Sequence, residues 1–208
     1  MQSTRYKSLE LLIIFVLIPV SFALNYTPLL KLIIGVLGFT YIIYVLFKIE
    51  KIKIRIEKNI NWAAFWKLSL IKLLIIIVIT SLFVWFTDAK SLFVVMLNKP
   101  KLWMLILFFY SLFSVYPQEL LYRTFFFQRY ENLFKNEKIF ILINALLFSL
   151  AHLFFKNTLV LLLTFIGGIL FAITFKKTKS TILVSIEHSI YGCWLFTVGM
   201  GDMLGFPS

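Results

Sequence analysis

The sequence predicts an all-α polytopic membrane helix bundle of about seven transmembrane helices, the last four forming a core. Three observations carry that reading. Of 208 residues, 61% are apolar, and a soluble chain of this length cannot bury so much. Only 14% are charged and the mean hydropathy is +0.95, which also excludes disorder. The apolar residues fall in runs near 20 residues long, the length that crosses a hydrocarbon layer of about 30 Å.

Taken in order, the expected spans are Leu9–Asn25, Pro28–Phe47, Leu68–Phe86, Lys101–Tyr130, Ile139–Phe155, Thr158–Phe175 and Thr181–Met200. For the first, Arg5 and Lys7, a short apolar run and the small-x-small Ser21-Phe22-Ala23 also describe a signal peptide; the reading as a retained span is preferred. The fourth is long and contains Pro117, which removes a backbone donor and predicts a kink. The expected organisation is one structural domain, with N-terminal helices over 1–100, a basic loop over 48–67, and the core over 101–208.

Lys and Arg number 21 against 9 Asp and Glu, a net charge of +12. The pattern of these charges points to topology rather than nucleic acid. An inside N-terminus puts Arg5, Lys7, the basic residues from Lys48 to Lys67, Arg129, Lys135, Lys138 and Lys176, Lys177 and Lys179 on one side. The other side keeps Lys31, Lys90, Lys99, Lys101 and Lys156. The expected location is a bacterial cytoplasmic membrane with a cytoplasmic N-terminus. Trp62, Trp66, Trp85 and Trp103 fall near span ends, as interfacial rings do. The segment Lys48–Ile60 is basic and either helically amphipathic or strand-like; a plain retention signal is the preferred reading over a headgroup-binding surface. The lone Cys193 excludes a disulfide framework.

Ionisable groups inside spans are costly and are functional candidates by default. Glu119, Arg123, His152 and His188 stand out, with Glu187 beside the last; the two histidines are the only ones in the chain. From the expected inner span ends, Glu119, His152 and His188 lie at depths of roughly 16, 21 and 12 Å at 1.5 Å per residue. Three groups from three helices at similar depth can share one polar cavity. Glu119 and Arg123 are i,i+4 and can pair. Phe148 is one turn before the His152 ring, and Asn144 continues that stripe. His188, Tyr191 and Gly192 share a face, and Gly192 admits a neighbour's backbone or a substrate. Gly167-Gly168 allows close helix packing. Glu187 is expected to pair with Tyr191 or a lysine, and Asn144 and Tyr191 to bridge helices.

The set Gln118-Glu119-x-x-x-Arg123, Phe148-x-x-x-His152 and His188-x-x-x-Gly192 resembles the three motifs EExxxR, FxxxH and HxxxN of the CAAX prenyl protease and bacteriocin-processing (CPBP, or Abi) intramembrane endopeptidases. The resemblance runs from about Lys101 to the C-terminus. It implies a peptidase with a water-filled cavity open to the cytoplasm, acting on a membrane-anchored peptide or protein, with lipid as surroundings and no cofactor. It also implies roles: His152 as general base or water ligand, His188 as oxyanion donor, Glu119–Arg123 as a structural pair, and Gln118, Phe148 and Gly192 as motif positions beside them. Glu187 and Tyr191 are accessory candidates by their places next to His188 and on its face. A divalent metal on His152, His188 and Glu119 is disfavoured, since it would divert Glu119 from Arg123 and no HExxH spacing is present.

Two positions depart from the family pattern. Gln118 stands where a water-activating Glu is expected, and an amide cannot take a proton near neutral pH. Gly192 stands where an Asn side chain would hold the oxyanion. Three accounts follow: Glu119 or Glu187 replaces the base; His152 acts alone, with His188 and backbone amides on the oxyanion; or the fold persists as a non-catalytic binder of peptide or lipid, or as a toxin-protection protein. A proton-coupled carrier is a further class, opposed by the lack of an inverted repeat.

Overall fold

The computed structural model describes residues 1–52 and 60–205. Every regular element among them is helical. We label the main helices α1 (residues 4–22), α2 (Pro28–Ile49), α3 (Trp62–Ser91), α4 (Pro100–Leu133), α5 (Glu137–Phe155), α6 (Thr158–Thr178) and α7 (Thr181–Val198).

Six of these, α2 to α7, are long and apolar enough to cross a membrane. The expected count of about seven is therefore not confirmed. The difference is α1, whose opening turns carry Arg5, Lys7 and Glu10. The helix-or-strand question over Lys48–Ile60 falls largely on residues 53–59, outside the described residues.

Local chemistry sets the helix starts. Pro28 and Pro100 open α2 and α4, where a missing N–H costs nothing. Asn61 caps α3 by accepting from Ala64 N. Asn136 and Asn157 each accept from two backbone amides at the starts of α5 and α6, and Ser180 accepts from Leu183 N at the start of α7. The last four helices are thus joined by short, capped connections.

Apolar exposure separates the periphery from the centre. Only 17% of the most apolar windows of α2 and α3 is buried, and Leu29, Leu32, Leu74, Leu82 and Phe86 are exposed along them. The corresponding figure for α7 is 56%, which makes it the central helix. Gly168 of α6 lies against Ala145 of α5 so closely that an added Cβ would be 2.9 Å from the Ala145 Cα. An aromatic cluster of Phe15, Phe125, Phe126, Tyr130 and Phe140 fills the space between α1, α4 and α5.

Pro117 does sit at an irregularity, but the helix does not stop there. Helix α4 continues over 34 residues and takes wider π-helical turns at Tyr110–Val115 and Leu120–Phe125, on either side of the proline. Such turns absorb a lost backbone bond and re-aim side chains without ending the helix.

One end of the bundle is held by a buried charge network. Arg129 on α4 is fully buried and reaches Glu10 of α1 at 2.7 Å, Glu50 just past α2 at 2.6 Å and the Met1 carbonyl at 2.6 Å. Tyr130 and Tyr41 also donate to Glu10. The sequence reading counted Arg129 only among the basic residues that set topology, on the inner side, and expected no partner for it. Its burial corrects that, because the two carboxylates that neutralise it come from parts of the chain far away in sequence.

Candidate active site

Helices α4, α5 and α7 bring the expected residues together. Glu119 is fully buried, with Oε1 2.7 Å from His188 Nδ1 and Oε2 3.2 Å from Arg123 Nε. The expected i,i+4 pair is present, although the second contact is too poorly aligned to be a hydrogen bond. Arg123 is anchored further by Asn144 Oδ1 at 2.6 Å and the Gly168 carbonyl at 3.3 Å, and its guanidinium covers the Phe148 ring. Asn144 donates in turn to the Tyr122 carbonyl at 2.7 Å, tying α5 to α4.

His188 is gripped on all sides. Phe171 stacks on its ring at 4.3 Å between centroids, Phe148 approaches edge-on at 5.7 Å, and Nε2 lies 3.2 Å from the Tyr110 hydroxyl. A carboxylate only accepts, so the Nδ1 proton of His188 points at Glu119.

His152 ends α5. Its Nδ1 is 2.8 Å from the Phe148 carbonyl, which again can only accept, so Nδ1 carries the proton. In the neutral ring Nε2 then presents a lone pair. Phe148 packs at 5.0 Å against this ring as well, so one phenyl group spaces both histidines.

A cavity of about 710 Å³ meets these groups. Gln118, His152, His188, Tyr110 and Gly192 line it, within a wall that is largely apolar and includes side chains of α1, α2 and α3. Helices on both sides of residue 100 therefore build it. Gln118 donates through Nε2 to Ser114 Oγ at 2.8 Å, while its Oε1 is buried with no partner among the described residues.

Glu119 and Glu187 are fully buried and neither lines the cavity. Glu187 binds Lys72 of α3 at 2.7 Å and Tyr191 at 2.9 Å, and Tyr191 also reaches the Ser69 carbonyl at 3.1 Å. The pairing with a lysine and the helix-bridging tyrosine match the sequence reading. Neither carboxylate is set against the cavity space in which a reacting water would have to lie.

Among the described residues, no three His, Cys, Asp or Glu side chains converge as metal ligands. The donor set also fits a metal poorly, since His188 Nδ1 and Glu119 Oε1 are spent on each other.

Sequence reasoning missed Tyr110 and Lys72. Lys72 carried a usable signal, a charge inside an apolar run on α3; Tyr110, one of nine tyrosines, carried none. Gly192 was expected to admit a backbone or a substrate. What it admits is the Tyr110 side chain, whose ring and hydroxyl occupy the place of a Cβ.

Fold and site together define an integral membrane protein with a histidine-containing polar cluster buried among its helices and open to a cavity. Residues 100–194 match the family model of the Rce1-like type II CAAX prenyl endopeptidases, so the kinship expected from the three motifs is borne out over that segment, which contains all of them. Comparisons with curated proteins and with solved structures return no match.

Proposed function

We propose that this chain is an intramembrane endopeptidase that hydrolyses a peptide bond of a membrane-associated substrate by activated water. The observation that carries the reading is His152: Nδ1 is fixed on the Phe148 carbonyl, and the ring lines the same cavity as Gln118. The family match supports peptidase chemistry at the level of the family.

In this reading a water lies in the cavity at His152 Nε2, and His152 takes its proton as the water oxygen attacks the scissile carbonyl carbon. The C–O bond forms and the carbonyl oxygen becomes an oxyanion on the His188 side. The proton held by His152 then passes to the leaving nitrogen as the C–N bond breaks. Glu119 and Arg123 act on this only through the orientation of His188. The largely apolar wall suits a substrate held at the membrane by an apolar anchor. The cavity lining runs to Phe22, Phe155 and Met203, at the helix ends away from the basic loops, so its position does not support the expected opening to the cytoplasm.

Gln118 supports a second reading, a family member that binds peptide without cleaving it, because its amide cannot replace a carboxylate as base. One experiment separates the two: cleavage of a quenched-fluorescent, lipid-tethered peptide library by the native chain, His152→Ala and Gln118→Glu. Turnover by the native chain that His152→Ala abolishes supports the peptidase. Turnover by Gln118→Glu alone supports the binder.

A further inference from the structure

Position 192 has no room for a side chain. A Cβ there would collide with the hydroxyl and ring carbons of Tyr110, which reaches across from the first π-helical turn of α4. The hydroxyl lies 3.2 Å from His188 Nε2, and both residues line the cavity. Phe196 holds the Tyr110 ring edge-on at 4.8 Å. Tyr110 and Gly192 are therefore a fitted pair whose product is one hydroxyl group beside His188.

The tautomer of His188 makes that hydroxyl consequential. With Nδ1 holding its proton and donating it to Glu119, a neutral ring has a bare Nε2 and cannot give a hydrogen bond to an oxyanion. With a second proton, Nε2 donates to the Tyr110 oxygen, and the phenolic hydrogen is released toward the cavity. In the neutral form the phenolic hydrogen rests on Nε2 and turns to the cavity when an oxyanion, the stronger acceptor, forms there.

The geometry points to Tyr110 as a catalytic residue: its hydroxyl donates to the developing oxyanion, from the space that a side chain at 192 would otherwise fill. This rests on the peptidase reading and names its missing donor. As the water oxygen bonds to the carbonyl carbon, the carbonyl π electrons move to oxygen and are met by the Tyr110 O–H. The contact is a hydrogen bond without proton transfer, and it is released when the carbonyl re-forms and the C–N bond breaks.

The test compares the native chain with Tyr110→Phe in detergent by turnover, thermal stability and ligand affinity. One ligand is a lipid-tethered peptide with a phosphinate at the scissile position; the other carries a neutral ketomethylene on the same peptide. The expected result is an unchanged Tm and KM, a kcat lower by about 10²–10³-fold, and a similar loss of phosphinate affinity with ketomethylene affinity kept. A native preference for the phosphinate that survives in Tyr110→Phe overturns the assignment, as does a native chain with no preference. If the native chain cleaves nothing but holds the phosphinate through this hydroxyl, the peptidase reading fails and the anion-binding role of Tyr110 stands. Should Tyr110→Phe not fold, the double variants Tyr110→Ala/Gly192→Asn and Tyr110→Ala/Gly192→Leu carry the same test. Phosphinate preference in the Asn form alone supports the assignment, and equal behaviour of the two overturns it.

Discussion

Glu119 and His188 come from different helices and meet at 2.7 Å, and the second carboxylate oxygen lies 3.2 Å from Arg123. One buried carboxylate thus both neutralises an arginine and fixes the tautomer of a histidine. Glu119→Gln keeps the shape and an acceptor for Nδ1–H but removes the charge. Stranding a buried partner costs about 3–5 kcal/mol. We expect a value near the low end, about 3 kcal/mol, because Arg123 retains Asn144 Oδ1, the Gly168 carbonyl and the Phe148 ring. Denaturation in mixed micelles reads this directly. A variant as stable as the native chain would mean that the amide and the carbonyl carry Arg123 unaided.

Arg129 has a different structural duty. It joins α1 to the ends of α2 and α4 through Glu10 and Glu50, far from the cavity groups. Arg129→Met leaves Glu10 without a cation and Glu50 with only Lys7 at 3.8 Å, at a cost of about 3–5 kcal/mol. The expected signs are a lower Tm and early proteolytic cleavage within the first ten residues. Adding Glu10→Gln to Arg129→Met should recover part of the loss, and a double-mutant cycle measures the coupling. Additive effects of the two substitutions would show that α1 is held by its apolar face alone.

These two clusters show how far the sequence could be read. The Glu119, Arg123, His152 and His188 set was legible because a membrane makes ionisable residues rare, so each one that persists is conspicuous. Their pairing followed from helical spacing, and their convergence from depth. Arg129 escaped because it sits at a span end, where a solvated basic residue is the ordinary expectation. Its partners are Glu10 and Glu50, and no local spacing connects the three. Tyr110 escaped for another reason. It is 78 residues from His188, and one tyrosine among 24 Phe and nine Tyr carries no periodic mark. The glycine at 192 was visible as a gap, but what fills the gap depends on where α4 and its π-helical turns bring Tyr110.

Gly168 tests the closest helix contact. A Cβ there would lie 2.9 Å from the Ala145 Cα, which is backbone and cannot swing aside. Gly168→Val should therefore push α6 from α5 and cost about 1–3 kcal/mol, with added loss of activity because the Gly168 carbonyl is an Arg123 anchor. At Gly167 the nearest atom to an added Cβ is Phe171 Cε2 at 3.1 Å, a side-chain atom that must give by only a few tenths of an ångström, not backbone. Gly167→Ala should cost less than Gly168→Ala in the same unfolding measurement. The reverse order would show that the tight α5–α6 seam is not what limits packing there.

The fit between Tyr110 and Gly192 predicts a reciprocal rescue that depends on shape alone. Gly192→Ala places a methyl group inside the Tyr110 ring and hydroxyl, so the ring must leave its site against Phe196 and His188. Displacing a packed side chain in this way costs about 1–3 kcal/mol. Tyr110→Ala alone opens a cavity and costs about 3–5 kcal/mol, by analogy with other aromatic truncations. Because the methyl group occupies space that the ring vacates, the double variant should be no less stable than Tyr110→Ala, and the coupling should be favourable by at least about 1 kcal/mol. Unfolding of the four proteins in the same detergent gives the cycle. Strict additivity would mean that Tyr110 does not occupy the space over position 192, and the hydroxyl beside His188 would lose its structural basis.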